Sequence, residues 1–373
     1  MKVRKLFIIL SMVVSILLVL SVFAGCKSTT TTTTAAAEST TTAAAESTTT
    51  AAAESTTTAP GKQLTIGVVI PYEIGWFSAF KKGYEVVAKE ENVKLVWQYH
   101  NYKADQETTA VQNLITMGVD GINDTAATPD SAQYSCTLAN DAKIPIQITE
   151  SGITSGKGEP VANIDFNWEQ IYRYLIDNLR KDVSGPLSIV NIQGFAGSPP
   201  VMQGINGLKD EITKVSDAKL ATDVQYGDYA TDKSLNIMKT LIQSGLKFNV
   251  AIGSCQEITE GIIEAINEQN LDQSKITVVS VNGGPMDIEN FKKGYLDFAI
   301  SQSPGLHGMI CAKNLISYLK GQTYQKKTYS PVIWVSAKDW QEKYIPWDVD
   351  NTWIPVVNEF IKTGGNYNPD LRK

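Results

Sequence analysis

Leu64-Thr65-Ile66-Gly67-Val68-Val69-Ile70-Pro71, followed by Trp76-Phe77-Ser78-Ala79-Phe80-Lys81-Lys82-Gly83, is the stretch whose reading decides the fold. Its first half is a short run of mostly β-branched apolar residues stopped by a proline, the pattern of a strand buried on both faces. Beyond it, Phe77, Phe80, Tyr84, Val87 and Ala88 recur at helical spacing. Lys81, Lys82, Glu85, Lys89 and Glu90 take the remaining faces, so one stripe is apolar and the rest is solvated. A buried strand feeding an amphipathic helix is half of a βαβ unit. The fold then depends on whether the unit repeats.

It repeats. The pattern predicts strands over residues 94–98, 119–123 and 144–149, alternating with helices over 105–117 and 131–142, the first stopped by Gly118. The alternation then restarts. It predicts helices over residues 168–180, 201–215, 235–244, 257–267 and 307–319, and strands over 187–192, 250–253, 276–281 and 295–301. Two such series predict an α/β chain with two doubly wound parallel-sheet lobes, and ligands of such sheets bind at the carboxyl ends of the strands.

Upstream lie an export address and a tether. Lys2, Arg4 and Lys5 precede an apolar run from Leu6 to Phe23, broken only by Ser11, Ser15 and Ser21, which reads as a signal peptide over residues 1–25. A run of this length can also serve as a permanent anchor. Phe23-Ala24-Gly25-Cys26 resembles the lipobox of bacterial lipoproteins, in which small residues precede a cysteine that is lipidated; Phe23 stands where leucine is usual. The other reading is a signal anchor with an incidental Cys26. Ala-Ala-Ala-Glu-Ser-Thr-Thr-Thr then occurs at 35–42, 43–50 and 51–58, so residues 26–62 are expected to be a disordered spacer holding a globular body off a membrane.

The full chain of 373 residues carries a net charge of −6, with +3 in residues 1–25 and −1 in residues 26–62, so residues 63–373 carry −8. Such a body repels phosphate backbones, which argues against nucleic acid as a partner. Two histidines, His100 and His307, leave no basis for a histidine-rich metal site. The sequence has no P-loop, dinucleotide fingerprint, HExxH or nucleophile elbow, and hence no sign of a cofactor or a catalytic residue. Cys136, Cys255 and Cys311 remain after Cys26, either as core thiols or with one disulfide among them.

From Leu64 to about Ser336 the chain resembles the periplasmic sugar-binding proteins of the ribose/galactose type, the type I solute receptors of ABC importers. The resemblance rests on an ordered set of segments: the opening strand and helix start, Gln112–Ile122, Ala142–Ile146, Gln193–Ser198, Val278–Gly283 and Ala299–Pro304. It implies an N-terminal lobe of residues 63–166 with 303–331, a C-terminal lobe of 167–302, and a segment over 332–373 that crosses the lobes. It also implies a monomer without enzymatic activity, tethered to the outer face of the cell membrane through Cys26. Such a receptor takes a carbohydrate, of one sugar or a few, in an interlobe cleft and delivers it to an ABC permease.

Carried over position by position, the resemblance puts Trp76 and Phe77 where stacking aromatics stand and Glu150 where an acidic residue stands. Asn167 or Trp168 falls at the crossing, Gln256 beside Cys255 replaces half of a polar pair, Asn282 replaces an aspartate, and Gln302 keeps a glutamine near the hinge. The family's two ring-gripping arginines are absent: Ser151 takes the place of one, and Gln203 is the only polar candidate near the other. A roomier and less charged pocket is therefore expected. Trp340, Trp347 and Trp353 lie in the tail, as a strap across the lobes or a contribution to the pocket rim. Two other functions stay open: a sensor subunit presenting its ligand to a membrane signalling protein, and a surface hydrolase.

Overall fold

The computed structural model describes residues 62–73 and 75–367. The signal peptide, Cys26 and all of the spacer but Gly61's neighbour Lys62 lie outside the described residues, as does the end of the tail from residue 368. Among the described residues no helix is long and apolar enough to cross a membrane.

The first lobe opens with β1 (Thr65–Ile70), α1 (Trp76–Glu90), β2 (Lys94–Tyr99), α2 (Ala104–Met117), β3 (Gly121–Thr125), α3 (Pro129–Asp141), β4 (Ile146–Thr149) and β5 (Ala162–Asp165). The second lobe contains α4 (Trp168–Asp182), β6 (Leu187–Gln193), α5 (Pro199–Lys214), β7 (Ala218–Leu220), β8 (Gln225–Tyr226), α6 (Thr231–Gln243), β9 (Val250–Gly253), α7 (Gln256–Glu268), β10 (Thr277–Ser280), α8 (Pro285–Lys293) and β11 (Phe298–Gln302). The chain then returns through α9 (Pro304–Leu319) and β12 (Lys327–Tyr329), crosses again to β13 (Val332–Ser336) and α10 (Trp340–Lys343), and closes with α11 (Ile354–Thr363).

The first sheet runs β12-β5-β4-β3-β1-β2, every pair parallel. The second runs β13-β11-β10-β9-β6-β7 with β8 beside β6, parallel except for the edge strand β13, which pairs antiparallel to β11. Helices on both faces bury the central strands, and from Ile66 to Ile70 no residue of β1 is exposed. This is the type I periplasmic-binding-protein architecture, two doubly wound lobes.

Three details position the cleft. First, α1 and α9 pack so closely that a Cβ on Gly83 would meet the Gly305 carbonyl oxygen at 1.8 Å, and one on Gly308 would meet that of Phe80 at 2.1 Å. Only glycine permits this approach, and it locks the helix bearing Trp76 to the returning chain. Second, β3 begins two residues later than its apolar run suggests and ends on polar Asn123-Asp124-Thr125. Asn123 and Thr125 tolerate burial because Gln147 Nε2 donates to Asn123 Oδ1 at 2.7 Å and the Thr125 and Thr149 hydroxyls meet at 2.8 Å, whereas burial holds the Asp124 carboxyl well above the ordinary carboxylate range. Third, the chain passes between lobes after β5, after β11 and after β12. The tail divides between both: β13 joins the second sheet, whereas Ile345, Val349, Trp353, Val356 and Phe360 enter the core of the first lobe. Trp340 stacks on Phe291 in the second lobe, rings 6.0 Å apart and 7° from parallel. Trp347 is buried behind the second crossing, its Nε1 donating to the Gln302 carbonyl at 3.0 Å. None of the three tryptophans lines the cavity described next.

Candidate functional site

The carboxyl ends of both sheets enclose a cavity of about 350 Å³. The first lobe supplies Tyr72, Gly75, Trp76 and Phe77 after β1, Tyr102 after β2 and Glu150 after β4. The second supplies Trp168 and Tyr172 of α4, Gln193 at the end of β6, Pro200 and Val201 of α5, and Tyr229 before α6. Ser254, Cys255 and Glu257 follow β9, Asn282 follows β10, and Gln302 ends β11. Each comes from a strand end or from the turn or helix next to it, where a doubly wound sheet presents side chains to a ligand.

The walls are aromatic. Trp76 stacks by one face on Phe80, centroids 5.9 Å apart and 13° from parallel, and also meets Phe166 and His307, which fixes its orientation while part of its surface lines the cavity. Phe77 meets Trp76 edge-on at 5.0 Å and Tyr72 at 5.4 Å. Tyr102 contacts Tyr72 at 5.6 Å within its lobe and Phe195 of the other lobe at 6.0 Å, so aromatic edges meet across the mouth. Flat apolar faces suit the C–H faces of a ring, and edge-to-face packing makes these walls rigid before any ligand arrives.

The polar groups are few and several lack a protein partner. Trp168 Nε1, Ser254 Oγ and Gln302 Oε1 are buried without a hydrogen bond, and Glu150 Oε1 has His307 Nε2 beside it at 3.2 Å. Leaving such atoms unpaired costs ~1–3 kcal/mol each, a cost a hydroxylated ligand removes. The rest of the polar lining is held in place. Gln302 Nε2 donates to the Val281 carbonyl at 3.0 Å, which aims its oxygen, and Gln193 Nε2 donates to the Tyr172 hydroxyl at 2.7 Å. No Lys, Arg or His lines the cavity, and its ionisable acids are Glu150 and Glu257.

Glu150 sits in the left-handed region at φ 65°, a strained conformation for a residue with a side chain, and this turns its carboxyl inward. Burial holds that carboxyl well above the ordinary carboxylate range, and nearby Asp165 pushes it the same way. Its Oε1 lies 3.2 Å from Nε2 of His307, whose basicity burial lowers to about 3. A neutral acid therefore faces a neutral imidazole, and Nδ1 of that ring is held by the Ser330 hydroxyl at 2.6 Å. Cys136, Cys255 and Cys311 are free and buried, so no disulfide joins them. Among the described residues no group of three or more His, Cys, Asp or Glu is arranged to hold a metal ion.

Of the residues singled out from sequence, Trp76, Phe77, Glu150, Trp168, Asn282 and Gln302 line the cavity together. Three do not. Asn167 caps α4 through a 3.2 Å bond from the Gln170 amide to its Oδ1, which occupies its side chain. Gln203 lies one turn into α5, past the face that Pro200 and Val201 turn to the cavity. Gln256 spends both ends of its amide on protein: Oε1 accepts from the Met286 amide at 2.9 Å and Nε2 donates to Glu257 at 3.0 Å. It positions a lining residue and does not itself line.

The tyrosines went unrecognised, although a signal for two of them existed. Asn101-Tyr102-Lys103-Ala104-Asp105 and Asp228-Tyr229-Ala230-Thr231-Asp232 are the same turn in the two lobes. In each, two successive residues are left-handed, with φ of 50° and 56° at Asn101 and Tyr102 and 53° and 57° at Asp228 and Tyr229. An Asn or Asp tolerates the first position, and the turn delivers a tyrosine to the cavity from either side.

Compared with known proteins, residues 66–323 match the periplasmic binding protein domain. The ribose import binding protein of Bacillus subtilis is 24% identical over 275 residues, 73% of this chain and 87% of that one. A xylitol-binding protein of Mycolicibacterium smegmatis is 23% identical over 232 residues, 61% of this chain and 64% of its own. Among solved structures, an ABC transporter solute-binding protein from Burkholderia graminis in complex with D-arabinose superposes with a TM-score of 0.70 at 20% identity, covering 77% of this chain and 100% of that one. One from Bacillus halodurans with bound myo-inositol gives 0.69 at 19% identity, covering 76% and 98%.

Proposed function

This chain belongs to the periplasmic binding protein domain family, whose members are transport receptors and not enzymes, and from that premise we propose that it is an extracellular receptor for a carbohydrate, tethered by lipid at Cys26. It takes the solute between its lobes and delivers it to an ABC importer. The observation that carries this reading is the cavity itself: aromatic faces from both lobes around a handful of buried polar atoms that lack protein partners. A volume of about 350 Å³ is near the lower end of ligand pockets, ~300–1000 Å³, so a single sugar or polyol ring fits the site better than a long oligosaccharide. The ligands of these relatives, ribose, xylitol, D-arabinose and myo-inositol, are polyhydroxylated and of this size.

Binding a solute with both lobes closes them, and the closed form is what a permease can distinguish from the empty one. Calorimetric titration with a panel of pentoses, hexoses and polyols tests the ligand class: saturable one-site binding to at least one of them is expected, and no heat with any member refutes it. Replacing Cys26 with Ala should move the protein from the membrane fraction to the medium; retention of the variant in the membrane refutes the lipid tether.

A further inference from the structure

The cavity has a side chamber. A second space of about 50 Å³ is lined by Thr125, Ala126, Ala127, Ser151, Phe195, Ser198 and Pro199, and it shares Phe77, Tyr102, Glu150, Pro200 and Tyr229 with the main one. The two are therefore adjacent, with Glu150 lining both. Two polar atoms at the side chamber, Glu150 Oε1 and Ser198 Oγ, are buried and only loosely held: His307 Nε2 lies 3.2 Å from the first, and the Tyr229 hydroxyl is beside the second. The other nearby hydroxyls are spent: Ser151 Oγ donates to the Ala126 carbonyl at 2.5 Å and Thr125 Oγ1 meets Thr149 Oγ1 at 2.8 Å. At ~10–15 Å³ for each water-sized occupant, 50 Å³ admits about three to five atoms, too few for a second ring.

We propose that the ligand carries a short polar exocyclic arm longer than hydroxymethyl, an acetamido or dihydroxyethyl group, which enters this side chamber between Glu150 and Ser198 while the ring occupies the main cavity. This deepens the carbohydrate reading and rests on it. The two chambers make different demands. The main one offers flat faces to a ring, whereas the side one is narrow, walled by Ala126, Ala127 and Phe195, with Glu150 and Ser198 as the loosely held members of a polar set that also includes Thr125, Ser151, Tyr102 and Tyr229. A ring without the arm leaves those two polar atoms dry and without a well-formed hydrogen bond. An arm with one donor and one acceptor satisfies both, since a protonated carboxyl and a hydroxyl can each give and take a hydrogen bond. Specificity built this way is steep, because a ligand without the arm leaves buried groups unmatched.

The experiment compares matched probes by calorimetry. N-acetylglucosamine, N-acetylgalactosamine and N-acetylmannosamine are set against glucose, galactose and mannose for the acetamido arm. Methyl β-D-galactofuranoside is set against methyl α-L-arabinofuranoside, which has hydroxymethyl in its place, for the dihydroxyethyl arm. The substituted member should bind at least tenfold tighter in one series. Ala127→Leu, which fills the side chamber, should bring that ratio to one or below, and Ser198→Ala should lower it severalfold. The second variant keeps the test alive if the first fails to fold. The proposal is overturned if unsubstituted members bind as tightly as substituted ones, or if neither variant moves the ratio. In both cases the receptor reading stands. Silence from every probe would overturn both.

Discussion

Replacing Trp76 with alanine removes the platform that the cavity is built on. A tryptophan covers ~150–250 Å². One face of Trp76 is packed on Phe80 and its other sides meet Phe77, Phe166 and His307, so about a quarter of that area, ~50 Å², is open to a ligand. At ~25 cal/mol per Å² the loss is ~1.25 kcal/mol, which corresponds to about eightfold in Kd. The assay is calorimetric titration with whichever carbohydrate the wild-type chain binds, alongside thermal unfolding of the empty protein. Unfolding matters here because Trp76 also packs against Phe166 and His307, and truncating it loosens both. Trp76→Phe is the companion variant: it keeps an aromatic face and should recover most of the lost affinity. A folded Trp76→Ala protein that binds within twofold of wild type would refute the assignment of this wall to the ligand.

Three further outcomes follow from named contacts. Trp168→Phe keeps the ring but deletes the unpartnered Nε1 donor, so affinity should fall about tenfold with little change in melting temperature; calorimetry paired with thermal unfolding checks it. Trp353→Ala empties a site in the first lobe's core where the side chain is 2% exposed, so the chain should lose ~3–5 kcal/mol in denaturant titration. Asp287 is raised by burial from 3.8 to about 7, so the native state keeps a proton that the unfolded chain gives up as the pH passes 3.8. Its contribution is therefore complete below about pH 4 and is lost as the pH rises through about 7, a difference of ~4 kcal/mol at ~1.4 kcal/mol per pH unit. Asp287→Asn should melt higher than wild type at pH 8, with the gap closing towards pH 4.

The architecture was legible because it is written in periodicity. Runs such as Thr65–Ile70 and Val250–Gly253 are apolar on both faces, and helices such as Trp168–Asp182 carry one apolar stripe. Elements lacking that pattern were illegible. β5 is the four residues Ala162-Asn163-Ile164-Asp165, and α8 opens on Pro285 and is set by Asp287 Oδ2 accepting from the Gly284 amide at 2.9 Å, so neither announces itself by hydropathy. β3 is expected over residues 119–123 and runs over Gly121–Thr125, because its polar end, Asp124 and Thr125, carries no apolar signal and is in fact buried. The site was readable where a residue stands directly at a strand end or a helix start, as with Trp76, Asn282 and Gln302. It was not readable where a side chain's direction decides: Gln256 looks like a ligand contact and is a brace, because only three dimensions reveal that Met286 and Glu257 hold its amide. Tyr102 and Tyr229 depend on left-handed backbone, which a composition of Asn, Asp and Tyr merely permits.

A crystal structure of the chain with its bound carbohydrate tests the central claim most directly. The account predicts one ring between the lobes, in contact with Trp76 from the first and Trp168 from the second, with hydrogen bonds to Gln302 Oε1 and Ser254 Oγ. A carbohydrate bound outside this cavity, or held by one lobe alone, would contradict it.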